Sequence, residues 1–194
     1  MPSLSNISSA EFASQLTPQR LRTGMLVQAA LGLGPLFFSA IVLLIAFSNQ
    51  SNGVDAEALD LLKTLTIANL AMSIVLGSAG HLLYRSRFTP RRLESAFLDE
   101  LLDRQGHPIA ATSPEKAITF IRTAMLLRTA LSEASAFFGI TVLMIASTHG
   151  LLLTVSWLWV NVVPVVMLWT LTASTFPTSN TMQRIFETNI QHAG

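Results

Sequence analysis

Four stretches of this chain are long, apolar and nearly free of charge. Thr23 to Ser48 and Gly150 to Ser174 hold no Asp, Glu, Lys or Arg. Thr64 to Tyr84 holds only His81 besides its terminal tyrosine, and Thr123 to Thr148 carries Arg128 and Glu133. A helix needs about 20 predominantly apolar residues to cross ~30 Å of hydrocarbon, so each stretch reads as a transmembrane span. Composition agrees: 12% of the 194 residues are charged, against about 25% in soluble domains. A chain this apolar cannot cover a soluble body with charge, and it is equally unlike a disordered one. A net charge of +1 argues against a nucleic-acid partner, and the absence of Cys excludes disulfides and thiolate chemistry.

The expected fold class is all-α: an integral membrane bundle of four transmembrane helices in two hairpins, plus a cytoplasmic amphipathic helix. The organisation reads as a polar N-terminal lead (1–22), a first hairpin (23–84), a basic and amphipathic segment (85–122), a second hairpin (123–174) and a tail (175–194). Thr148-His149-Gly150 reads as a tight turn. Arg20, Arg22, Arg85, Arg87, Arg91, Arg92, Arg104, Lys116, Arg122 and Arg184 fall on one side of such a topology, and Lys63 stands alone on the other. By the positive-inside bias, both termini and the middle segment are expected to be cytoplasmic, in a bacterial-type inner membrane. From Pro90 to Gln105 the apolar residues Leu93, Phe97, Leu98, Leu101 and Leu102 recur at helical spacing, with Gly106 as a stop. Met182 to Ile190 reads as a second, weaker amphipathic helix. Pro35 is expected to kink or weaken the first span.

Residues 21–48 and 121–148 align without a gap, with 12 of 28 positions identical, including Arg22/Arg122, Thr23/Thr123, Met25/Met125, Phe37/Phe137 and Phe38/Phe138. This reads as a duplicated hairpin whose copies run parallel. Only the second copy carries charge in the membrane: Leu33 and Gln28 stand where it has Glu133 and Arg128.

A charged residue at bilayer centre costs about 2.5–3.5 kcal/mol on insertion scales, which makes Glu133 the leading functional residue. Arg128 lies about 140° away from it around the helix, so it is expected to reach toward the interface instead of pairing with Glu133. Depth matching sets Glu133 level with Ser73, within a turn of Asn69, and near Asn161 and Pro164. Thr129 lies one turn away on nearly the same face. The candidate ion-binding set is therefore Glu133, Thr129, Ser73, Asn69 and Asn161. A neutral carboxyl bonding two helices together and an exchangeable proton or Na⁺ site both fit these residues.

The stretch Thr129 to Ile145, TALSEASAFFGITVLMI, resembles the carboxylate-bearing helix of ATP synthase and vacuolar ATPase proteolipid (subunit c) chains. In those a Glu followed by Ala, a small or apolar residue, an aromatic and Gly sits at mid-membrane. The resemblance implies that Glu133 is an ion-binding carboxylate, with Ala134, Ala136, Phe138 and Gly139 around it. It covers these 17 residues alone, and the family's glycine-repeat helix has no counterpart in the chain.

His81, His107, His149 and His192 show no ligand spacing, and no Walker loop, GxSxG or GxGxxG is present. The chain is thus expected to have no metal, cofactor or enzymatic activity. Ser132-xxx-Ala136 and Ser135-xxx-Gly139 invite close helix packing, so the expected partners are membrane lipid and either further copies or the subunits of a larger membrane complex.

Overall fold

The computed structural model describes residues 4–49, 56–102, 105 and 107–191. It is helical almost throughout: α1 (Ser9–Ser14), α2 (Pro18–Ser48), α3 (Ala56–Arg87), α4 (Pro90–Leu98), α5 (Ser113–Thr148), α6 (Val163–Ser174) and α7 (Ser179–Asn189). Short 3-10 segments, Leu4–Asn6 and Ser156–Val162, precede α1 and α6. Four segments are long and apolar enough to cross a membrane: α2, α3, α5 and Ser156–Ser174. The chain is a multi-pass membrane protein built of helices.

Helix ends follow local chemistry. Thr112 and Glu115 form one half of a capping box at the start of α5, the Glu115 carboxylate accepting from the Thr112 backbone N–H at 2.8 Å. Thr112 thus stands just before Ser113, the first residue of α5. Helix α5 ends at Thr148, and Gly150 just beyond it is the one residue with positive φ (69°) among the described residues. The Leu151 N–H donates to Ala146 O and the Gly150 N–H to Ser147 O, a Schellman pair that only a left-handed residue permits without strain. Thr89 precedes Pro90 of α4, but its hydroxyl donates to Ser86 O and makes no cap.

Two expectations need correction. The amphipathic pattern from Pro90 to Gln105 yields a helix only to Leu98; Leu101–Leu102 then pairs antiparallel with Pro108–Ile109. Gly106, the expected stop, lies outside the described residues. The fourth stretch is not one α-helix: a turn and the 3-10 segment occupy its first half. Pro164 lies in the first turn of α6, where its missing N–H breaks the hydrogen-bond ladder that would join the two parts. Helix α2 carries the buried Pro35 inside its length.

The contacts divide the chain into two compact units, and each takes pieces of α2, α3 and α5. The first comprises residues 1–28, 81–128 and 175–194. Its core joins the two ends of the chain: Phe12 of α1 stacks on Phe186 of α7, centroids 4.1 Å apart and planes 7° from parallel. Leu4, Leu21, Leu93, Ile121 and Met182 surround them, all buried. Ser9 Oγ donates to Gln191 Oε1 at 2.9 Å, and Arg20 pairs with Glu115 at 2.6 Å. Glu115 lies ahead of the apolar stretch that begins at Thr123. Its carboxyl is held below the usual carboxylate range, chiefly by the Thr112 backbone N–H and further by the Thr112 hydroxyl and Arg20, with partial burial opposing.

The second unit comprises residues 29–80 and 129–174. Its buried core is aliphatic, with Val42, Leu62, Ile140, Leu143, Leu158 and Leu168 among its members. Phe38 meets Phe137 edge to face at 5.6 Å. Much of its outer surface is large and apolar, as on Phe37, Leu44, Ile67 and Ile74. In water such a surface would drive aggregation; in hydrocarbon it is the solvated face.

Candidate functional site

Thr66, Asn69, Ser73, Ser135 and Asn161 of the second unit form one polar network at the break in the fourth stretch. The Thr66, Asn69 and Ser73 side chains leave α3 at i, i+3 and i+7, which places them along one face. Asn69 Nδ2 donates to Asn161 Oδ1 at 2.9 Å, and Asn161 Nδ2 donates to Thr66 Oγ1 at 2.9 Å and to Leu158 O at 3.0 Å. The last bond returns to the 3-10 segment that carries Asn161, satisfying a carbonyl where the regular ladder is interrupted. Both asparagines are fully buried. Asn69 Oδ1 is left without a hydrogen-bond donor among the described residues.

Gly139 makes this arrangement possible. A Cβ there would lie 2.5 Å from the Asn161 carbonyl oxygen and 3.1 Å from Asn69 Nδ2. The obstacle is backbone, so no rotamer change relieves it. Glycine at 139 is what allows α5 to approach the broken segment so closely.

Ser73 continues the network on the other side. Its hydroxyl lies 2.5 Å from Ser135 Oγ and donates to Asn69 O at 2.7 Å. Ser73, Ser132, Ser135, Gly77, Pro164 and Met167 line a cavity of about 20 Å³, room for one water-sized molecule.

Glu133 does not belong to this network. Ser73 meets Ser135 and not Glu133 at the matched depth, and two residues of helix turn the side chain by 200°, almost to the opposite face. The Glu133 carboxyl is half-buried beside α2, where a Cβ added at Gly34 would lie 4.0 Å from its Oε1 and 3.5 Å from the Phe137 ring. No hydrogen bond or ion pair reaches it among the described residues. The five candidate ion-binding residues thus separate: Asn69, Ser73 and Asn161 bond together, Thr129 is buried on α5, and Glu133 is bonded to none of them.

Arg128 follows its helical phase. Its guanidinium lies over the Tyr84 ring, 5.2 Å from the centroid, a cation–π contact within the first unit. Gln28, its counterpart in the aligned stretch, is buried and donates to Thr175 Oγ1 at 2.9 Å. Trp169 donates from Nε1 to Gly32 O at 3.1 Å.

Sequence reasoning missed Thr66, Ser135 and Gln28. The signal for Thr66 was present in its spacing from Asn69 and Ser73, a polar stripe on an otherwise apolar helix. Among the described residues, no three His, Cys, Asp or Glu side chains come together as a metal would require. No family model, curated protein or solved structure matches the chain.

Proposed function

We propose that the chain is a non-enzymatic subunit of a larger membrane assembly, in which Glu133 bonds to a neighbouring membrane helix. The observation that carries this reading is the isolation of the carboxyl. An intramembrane acid is costly unless it is neutralised or bonded, and this chain brings no donor to it among the described residues. The polar groups suited to satisfying it are bonded to each other instead. A donor from another chain, or from a second copy, completes the site. The carboxyl is only half-buried, which leaves it open to such a donor.

In this reading the two hairpins are copies of one ancestral hairpin, aligned over 21–48 and 121–148, and the second acquired Glu133 for assembly. Both termini and the arginine-rich middle segment face the cytoplasm of a bacterial-type cell, with α4 as an interfacial amphipathic helix. The ten-to-one bias of Lys and Arg supports that orientation.

The second reading is a proton- or Na⁺-translocating protein with Glu133 as the carrier, in line with the proteolipid-like sequence around it. Its support is that the carboxyl is half-exposed rather than sealed. One pair of measurements separates the two. The full chain is purified in mild detergent and its assembly size compared for wild type, Glu133→Gln and Glu133→Leu; carbodiimide labelling of Glu133 is followed with and without Na⁺. Assembly kept by Gln and lost with Leu, with labelling indifferent to Na⁺, is the expected result. Na⁺-protected labelling in an assembly of unchanged size would replace this proposal with the carrier reading.

A further inference from the structure

We infer that the corner between α3 and α4 is a binding site for the headgroup of an anionic phospholipid. Depth is the first argument. The apolar stretch of α3 ends at Tyr84, and Arg87 follows three residues later, about 4.5 Å further along the helix axis. The headgroup layer is about 5–8 Å thick on each side of the hydrocarbon, so Arg87 lies at phosphate depth.

Charge is the second. Arg87 and Arg92 line one concave pocket with Ser95, Ala96, Asp99 and Phe120. Neither guanidinium forms a hydrogen bond or an ion pair among the described residues. Elsewhere in this first unit Arg20 pairs with Glu115, and Lys116 donates to Phe97 O. Two unpaired guanidinium forks facing one pocket match a phosphodiester, which accepts bidentate bonds from each. The Ser95 hydroxyl adds a neutral donor.

Shape is the third. Phe120 forms one wall, locked edge to face against Phe88 at 5.7 Å, and Ala96 lies beside it. An apolar wall next to a cationic one suits the junction between phosphate and glycerol ester. Asp99 also lines the pocket, and it would repel a bare dianion. Its carboxylate favours a headgroup that carries donors beyond the phosphate, as the glycerol hydroxyls of phosphatidylglycerol do. Choline, which has no donor, leaves Asp99 unanswered.

The experiment uses the full chain in nanodiscs of mixed phosphatidylglycerol and phosphatidylcholine, extracted into detergent. Retained lipid is then counted by native mass spectrometry. Wild type is expected to keep phosphatidylglycerol selectively, and the double variant Arg87→Gln/Arg92→Gln to lose about tenfold in retention, as expected for charge-assisted bonds removed from one phosphate. Arg91→Gln, on the same helix but outside the pocket, is the control and is expected to retain wild-type selectivity. Helical content by circular dichroism checks that each variant folds. Equal losses for Arg91→Gln and the double variant would mean diffuse attraction to an anionic surface and overturn the site. Displacement of the lipid by millimolar inorganic phosphate would reassign it as a site for a free anion. No selectivity in the wild type would end the proposal.

Discussion

The two units of this protein are held together by different physics, although α2, α3 and α5 pass through both. The first has the interior of a small water-soluble domain. Phenylalanines from opposite ends of the chain stack at its centre, leucines and methionines pack around them, and an ion pair and a capping box finish the surface. The second inverts this pattern. Large apolar side chains face outward, and glycines, serines and asparagines mediate the close contacts inside. Water supplies a hydrophobic driving force for burying Phe12 and Phe186. Hydrocarbon supplies none, so helices there associate through close approach and hydrogen bonds. One chain follows both rules, changing from one to the other within single helices.

Substitutions can break this contrast. The largest effect is expected in the first unit: Phe186→Ala removes a fully buried ring and its stacking partner's contact, and should cost about 3–5 kcal/mol. Limited proteolysis should then cut near both termini while residues 129–148 stay protected. Simultaneous loss of protection in that stretch would show that the units do not respond separately.

In the second unit the sensitive position is a glycine. Gly139→Val forces a side chain against the Asn161 backbone and is expected to destabilise by roughly 1–3 kcal/mol, the range for overpacking. Gly77→Ala meets nothing within 4 Å and should stay within about 0.5 kcal/mol of wild type. Thermal unfolding in detergent compares the two. Equal effects would mean that the approach of α5 to the broken segment does not govern stability.

The smallest expected effect lies at the surface. Because the folded-state pKa of Glu115 is lowered, its stabilisation is present above the unfolded carboxylate value and is lost as pH falls through the folded one. Glu115→Gln should remove that acid-side dependence, with a change of under about 1 kcal/mol near neutrality because the Arg20 pair is partly exposed. Unfolding midpoints measured from pH 7 down to pH 3 test it. An unchanged acid slope in the variant would remove Glu115 from the account.

Much of the architecture was legible in advance because apolar length and charge placement are local quantities. The four spans, the turn at Gly150 and a helix beginning at Pro90 could be read from a few consecutive residues. The join between the two chain ends could not. Phe12 and Phe186 each sit in an ordinary amphipathic segment, and no local pattern tells a tail that covers a partner from one that covers its own other end. The candidate site was legible in its parts and not in its grouping. Asn69, Ser73 and Asn161 stood out as polar residues in apolar helices, and Glu133 stood out most. Matching depths by counting residues located Glu133 to within half a turn, and half a turn was enough to exchange it for Ser135.

The sequence by itself determined that this is a helical membrane protein, where its apolar segments lie, and that one carboxyl stands within an apolar segment. Those follow from transfer energies that each residue contributes wherever it is placed. Only the tertiary structure decided that the fourth stretch breaks around Asn161, that Gly139 receives that break, and that the carboxyl stands apart from the polar network. Those depend on the rotation of one helix against another, which small residues and a handful of hydrogen bonds set, and which hydropathy alone leaves open.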